Sequence, residues 1–188
     1  MRKLAVICPG IGYHKDKPLL YFAAKLAQKN GFEIIGIAYS NMPQKIRGNA
    51  EMMRNAAALA IEQTAQQIET ADPSRCTELL LIGKSIGTIA AAHYAQQCDI
   101  PVRQIWYTPL EATFSFAPPA DSCIAFLGSA DPWSNVQTVR RLADEQNIPL
   151  SLYEDCNHSL ESGDVLRDTE ILHDVMQKTS CFLNSSFR

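Results

Sequence analysis

The stretch Leu79-Leu80-Leu81-Ile82-Gly83-Lys84-Ser85-Ile86-Gly87-Thr88 decides how the rest of the chain is read. Four consecutive aliphatic side chains closed by a glycine suit a strand buried on both faces. The run passes without a loop into G-x-S-x-G and then into an Ala-rich segment that begins at Ile86. Strand, tight turn and helix in that order are the setting of a nucleophile elbow, in which the serine is strained and the residues two before and two after it must be small. Gly83 and Gly87 meet that demand, and Ser85 would stand at a helix N-terminus, where unpaired N–H groups favour developing negative charge. Gly83-Lys84-Ser85 also resembles the end of a phosphate-binding loop. The first glycine of that motif would fall on Glu78, and its loop would overwrite the strand.

Outward from the elbow, short apolar runs alternate with amphipathic segments. Strands are expected at residues 4–8, 33–39, 78–82, 104–107, 122–127 and 150–154, none with strict alternation. Helices are expected at 18–30, opened by Pro18 and followed by Gly31, and at 50–70, 86–97, 134–147 with Ser134 as cap, and 163–183. Six such alternations predict an α/β fold: a mostly parallel, about six-stranded sheet with helices on both faces. Function then belongs at the carboxyl ends of the strands. The one sizeable irregular stretch, 108–121, is too short for a cap domain, so the active edge is expected to be open.

With 188 residues the chain is expected to form one domain over 1–188. Hydrophobic residues make up 46% and charged residues 20%, which argues against disorder. A net charge of −3, from 17 basic and 20 acidic side chains, gives no electrostatic reason to expect nucleic acid or an anionic membrane as partner. After Met1-Arg2-Lys3 the apolar run stops at Pro9-Gly10, too early for a signal peptide, and no stretch approaches the roughly 20 apolar residues of a membrane span. The expectation is a soluble, cytoplasmic protein. Its six cysteines contain no C-x-x-C pair and read as reduced thiols. Cys156-Asn157-His158 lacks a second ligand pair, so no metal is expected.

A nucleophilic serine needs a base, and the base an orienter. The fifth strand runs out through Gly128-Ser129-Ala130-Asp131-Pro132-Trp133, and the sixth through Glu154-Asp155-Cys156-Asn157-His158. Asp131 and His158 therefore follow the carboxyl ends of successive strands, on the edge that carries Ser85. Singly, Asp131 reads as a turn residue and His158 as a surface histidine; with the elbow and in this order they converge. Asp155 and Asp121 are weaker orienters, Asp155 because it lies too close in sequence to His158. Cys156 as nucleophile would require a different role for His158.

Elbow, order and strand-end placement together resemble the α/β-hydrolase superfamily, and within it the small members without a cap domain, such as the dienelactone-hydrolase-like and short esterase groups. The resemblance spans nearly the whole chain. Lys84 within the elbow and Thr88, where a further small residue is usual, are departures. The resemblance implies a serine hydrolase acting on a small ester or thioester through a Ser85-Asp131-His158 triad and an acyl-enzyme, without cofactor. It also implies an oxyanion hole from the backbone N–H of Ile86 and one from the loop Pro9-Gly10-Ile11-Gly12-Tyr13, either Ile11 or Gly12. A non-catalytic binding protein on the same fold, or a peptidase or acyltransferase using the same residues, are the alternatives.

Around this centre, Gly12, Tyr13, Lys84 and Trp133 are weaker candidates for contact with substrate. His14, Lys15, Lys17, Lys45 and Arg47 would suit a carboxylate or phosphate, although a solvated face explains them as well. Trp106, Tyr107, Phe114 and Phe116 would serve either as an acyl wall or as core.

Overall fold

In a computed structural model, described for residues 2–185, the chain forms six strands and five α-helices. They run β1 (Arg2–Cys8), α1 (Pro18–Lys29), β2 (Glu33–Gly36), α2 (Ala50–Glu69), β3 (Cys76–Lys84), α3 (Ile86–Ala95), β4 (Val102–Tyr107), β5 (Cys123–Gly128), α4 (Val136–Glu145), β6 (Leu150–Tyr153) and α5 (Val165–Asn184). A short 3₁₀ turn, Glu111–Ser115, breaks the stretch between β4 and β5.

All strands are parallel in one sheet of order β2-β1-β3-β4-β5-β6. Parallel neighbours need crossovers, and the helices that make them cover both faces, which is why β3 reads as an unbroken apolar run. Side-chain alternation then divides the core. Leu80 and Ile82 point with Ala5, Ile7 and Tyr107 toward α1 and α5, meeting Leu20, Ala23 and Val175. Leu79 and Leu81 point with Leu4 and Val6 to the other face, against Ile68 of α2 and Ala91 of α3. Trp106, Ala125 and Leu127 continue that face under Val139 and Ala143 of α4. Trp106, Tyr107 and Phe114 are core residues and wall no pocket beside Ser85.

Sequence order reverses between β1 and β3, so the loops after these two strands diverge and leave a crevice at their carboxyl ends, the favoured position for a ligand in such sheets. α3 starts there. It is buried nearly all round, with Ile86 through Ala92 inaccessible, so only small or aliphatic side chains fit.

Apart from shifts of one or two residues at several ends, such as β3 running over Cys76–Lys84 rather than 78–82, three elements differ from expectation for reasons visible in the structure. β2 ends at Gly36 rather than at 39, because side chains of α2 take over from the strand ladder: Gln67 Oε1 accepts from Ala38 N–H at 3.0 Å, and Gln63 Oε1 from Ser40 N–H at 2.8 Å. The cap of α4 is Asn135, whose side chain accepts from Thr138 N–H, whereas Ser134 Oγ donates to the Pro109 carbonyl. α5 begins after Asp164, whose carboxylate accepts from Leu166 and Arg167 N–H. Among the described residues no helix is long and apolar enough to cross a membrane.

Candidate active site

Ser85 sits between the last residue of β3 and the first of α3 with φ 57° and ψ −126°, a conformation that a side chain tolerates only when its surroundings impose it. Both flanking glycines are part of what imposes it. A Cβ at Gly83 would meet the Cα of Thr88 at 2.7 Å, and one at Gly87 would collide with the Cys8 and Pro9 carbonyls of the β1 loop. The elbow is pinned further by Ser85 N–H donating to the Tyr107 carbonyl at 3.0 Å and by Thr88, whose hydroxyl lies 2.6 Å from the Ser85 carbonyl and 2.6 Å from Thr113 Oγ1. The buried threonine at position 88 thus ties the first turn of α3 to the 3₁₀ turn after β4.

The structure brings Ser85, His158 and Asp131 together. His158 Nε2 lies 2.7 Å from Ser85 Oγ, and His158 Nδ1 lies 2.7 Å from Asp131 Oδ2. A carboxylate oxygen can only accept, so Nδ1 carries the ring proton and Nε2 of the neutral imidazole is left to accept from the serine hydroxyl. The second oxygen of Asp131 accepts from Trp133 N–H at 2.8 Å, and the Asp131 side chain is fully inaccessible. The His158 loop is clasped to the Asp131 loop by Ala130 N–H donating to the Cys156 carbonyl at 3.0 Å. The Trp133 ring lies 5.7 Å from the imidazole. Burial holds the His158 pKa below 6.5; Asp131 pulls it up and the charge of Lys84 pushes it further down. The neutral, proton-accepting form therefore dominates at pH 7.

The β1 loop and the start of α3 border the same spot. Gly10 and Tyr13 spend their N–H groups on each other's carbonyls, which bends the β1 loop. Ile11 and Ile86 N–H find no acceptor among the described residues, and both residues border the cavity at Ser85 and His158. Gly12, at φ 76°, borders the neighbouring groove and not the cavity at Ser85, whereas Ile11 borders both.

The remaining candidates separate. Trp133 walls the cavity. Tyr13 and Lys84 lie beneath it, on the α1 side of the sheet. Lys84 is 1% exposed, its Nζ rests 5.0 Å from the Tyr13 ring centroid, and burial lowers its pKa to about 7. Strand parity foretells this position: Leu80, Ile82 and Lys84 share one face of β3. Lys17 Nζ also lies over the Tyr13 ring, at 5.2 Å. Asp155 is exposed and pairs with Arg167, and Asp121 is exposed, so neither reaches His158. Cys156 is buried, and burial raises its thiol pKa, which keeps it protonated. Ile46, Met53 and Leu110, which sequence reading missed, complete the cavity wall; an isoleucine within the polar run from Asn41 to Asn49 was the available signal. Among the described residues no group of three or more His, Cys, Asp or Glu side chains could hold a metal. A larger cavity, about 650 Å³, opens at the opposite, amino-terminal edge of β4 and β5, beside Arg103 and Ser122.

No known protein family and no curated protein matches the sequence. Solved structures do match the fold. A protein of unknown function from Agrobacterium tumefaciens, assigned to the α/β hydrolases, superposes with a TM-score of 0.68 at 16% identity, covering 97% of this chain and 84% of the other. An α/β serine hydrolase without lid from Xanthomonas campestris gives 0.67 at 17% identity, covering 98% and 84%. A monoacylglycerol lipase of Paleococcus ferrophilus gives 0.65 at 14% identity, covering 95% and 94%. The parallel sheet, the strained serine between β3 and α3, and these superpositions agree that the chain has the α/β-hydrolase fold, in its cap-less form.

Proposed function

We propose that the protein is a serine hydrolase that cleaves a small ester or thioester through an acyl-enzyme on Ser85. The observation that carries this reading is the unbroken hydrogen-bonded series Ser85 Oγ, His158, Asp131, with 2.7 Å at each junction and the serine held in a strained elbow. His158 Nε2 takes the serine proton as Oγ attacks the acyl carbon. The developing oxyanion is held by Ile86 and Ile11 N–H, and the imidazolium by Asp131. His158 then returns the proton to the leaving group, and water, deprotonated by the same histidine, releases the acid. That sequence of steps uses no cofactor.

A hydrolase-fold protein that binds without turnover would be expected to show a displaced histidine or a blocked elbow. The spacing at His158 supports turnover instead. The fold relatives include an esterase and a monoacylglycerol lipase, which supports hydrolysis in general terms. The test is incubation of the protein with a fluorophosphonate probe, followed by peptide mass mapping, beside Ser85→Ala. Label confined to Ser85 is the expected result; a folded protein that takes none would overturn the proposal.

A further inference from the structure

The space that Ser85, His158 and the two N–H donors enclose is about 30 Å³. Sites that enclose a drug-sized ligand run from about 300 to 1,000 Å³, so this one is smaller by a factor of ten or more. Its apolar walls are Ile11, Ile46, Met53, Ile86, Leu110 and Trp133. Three of these cannot yield. Ile46, Ile86 and Leu110 are 5%, 2% and 3% exposed and belong to one packed cluster with Ala56, Ala60 and Ile89. A close-packed interior gives way only at the cost of off-rotamer side chains, so the back of the cavity is fixed. The half-buried walls, Ile11, Met53 and Trp133, stand where the cavity opens.

Beyond them two wider grooves lead outward. Past Ile11 lies one of about 580 Å³, bordered by the β1 loop, Tyr39 and Gln44. Past Met53 and Trp133 lies one of about 310 Å³, bordered by Arg47 and Asn49. The leaving group takes its proton from His158, beside Trp133, so the alcohol or thiol part of a substrate is directed to the groove past Trp133 and the closed back of the cavity is left for the acyl part.

About 30 Å³ holds only two or three water-sized groups, so we infer that the enzyme is selective for short acyl groups, on the order of two to four carbons, carried on a larger alcohol or thiol, with Ile46 and Leu110 as the residues that stop a longer chain. This inference rests on the hydrolase reading above and specifies its substrate. The chemistry is unchanged: the acyl carbon bonds to Ser85 Oγ, the alcohol or thiol leaves with the serine proton, and water restores the enzyme.

The experiment is kcat/KM for p-nitrophenyl acetate, butyrate, hexanoate and octanoate, on the wild type, Leu110→Ala and Met53→Ala, with fluorophosphonate labelling of Ser85 run in parallel. Wild type is expected to favour acetate or butyrate over octanoate by at least about tenfold, the scale on which an apolar pocket discriminates by methylenes. Leu110→Ala should raise the octanoate-to-acetate ratio by about tenfold or more. Met53→Ala, at the half-buried mouth, should raise it less, and it supplies the comparison if truncation at the buried position prevents folding. Octanoate turned over as fast as butyrate by an enzyme labelled at Ser85 would overturn the size limit while leaving the hydrolase reading intact. A folded protein that is not labelled and turns over none of these esters would overturn the hydrolase reading, and the size limit with it.

Discussion

Replacing Lys84 by methionine should stabilise the protein, by an amount that depends on pH. An ammonium 1% exposed, with its pKa lowered from 10.5 to about 7, makes the folded state pay for burying a charge or for shedding the proton. At 1.36 kcal/mol per decade that penalty is about 4 kcal/mol at pH 7 and about 2 kcal/mol at pH 9, where the unfolded lysine has begun to lose its own proton. The contact with the Tyr13 ring returns about 1 kcal/mol at pH 7 and nothing at pH 9, where the folded lysine is neutral. Methionine has similar volume and no charge, so the net gain should be about 3 kcal/mol at pH 7 and about 2 kcal/mol at pH 9. The sign follows from linkage: the folded protein binds fewer protons at this site than the unfolded chain between pH 7 and 10.5, so wild-type stability rises with pH there. The variant lacks that rise. Urea unfolding at both pH values, followed by tryptophan fluorescence, measures the difference. Activity supplies a second readout, because the Lys84 charge helps to hold the His158 pKa down. Without it, the acid limb of kcat/KM should move to higher pH, toward 6.5. A variant no more stable than wild type at pH 7, or a gain that is the same at pH 9, would refute the argument.

Ser85→Ala should lower kcat by at least about 10⁴, and Asp131→Asn by about 10⁴ by leaving His158 in the wrong tautomer; steady-state rates on p-nitrophenyl acetate decide both. Wild-type kcat/KM should fall on the acid side with a midpoint below 6.5, since a proton on His158 abolishes the base and burial disfavours that proton; a midpoint above 6.5 would contradict the assignment. Gly87→Ala should cost about 3 kcal/mol or more, because the new methyl would collide with the Cys8 and Pro9 carbonyls, neither of which can swing away as a side chain would. Thr88→Val should cost about 1 to 3 kcal/mol by orphaning the buried Thr113 hydroxyl, read from the urea midpoint.

The elements were legible in the sequence where burial and local chemistry agree. Leu79 to Ile82 could only be a strand covered on both sides, and the two elbow glycines announced a turn too tight for side chains. Pro18 and Gly31 bracketed α1 for backbone reasons alone. Reading failed where long-range partners decide. Nothing local says that Gln63 and Gln67 will satisfy the backbone after Gly36, or that Asn135 rather than Ser134 will cap α4, since Ser134 is drawn off to the Pro109 carbonyl.

The site divides the same way, and the division has a physical reason. Ser85, His158 and Asp131 must each stand at a strand's carboxyl end to meet, and strand ends are visible in sequence; their convergence follows from a parallel sheet whose loops share one edge. The cavity wall has no such constraint. Ile46, Met53 and Leu110 come from a loop, the first turn of α2 and the residue ahead of a 3₁₀ turn, and they meet only because α3 is buried deeply enough for all three to rest on it. Lys84 lies between these cases. Its parity with Leu80 and Ile82 assigns it to the α1 face, yet a charged side chain beside a nucleophile invites a role at the substrate. The side chain obeys the strand and not its charge, so the same rule that placed the core placed the lysine. Buried there, Lys84 is placed to influence His158 through its field, and Lys84→Met separates that influence from contact with substrate: a field moves the pH limb, whereas a lost contact would raise KM with the limb unmoved.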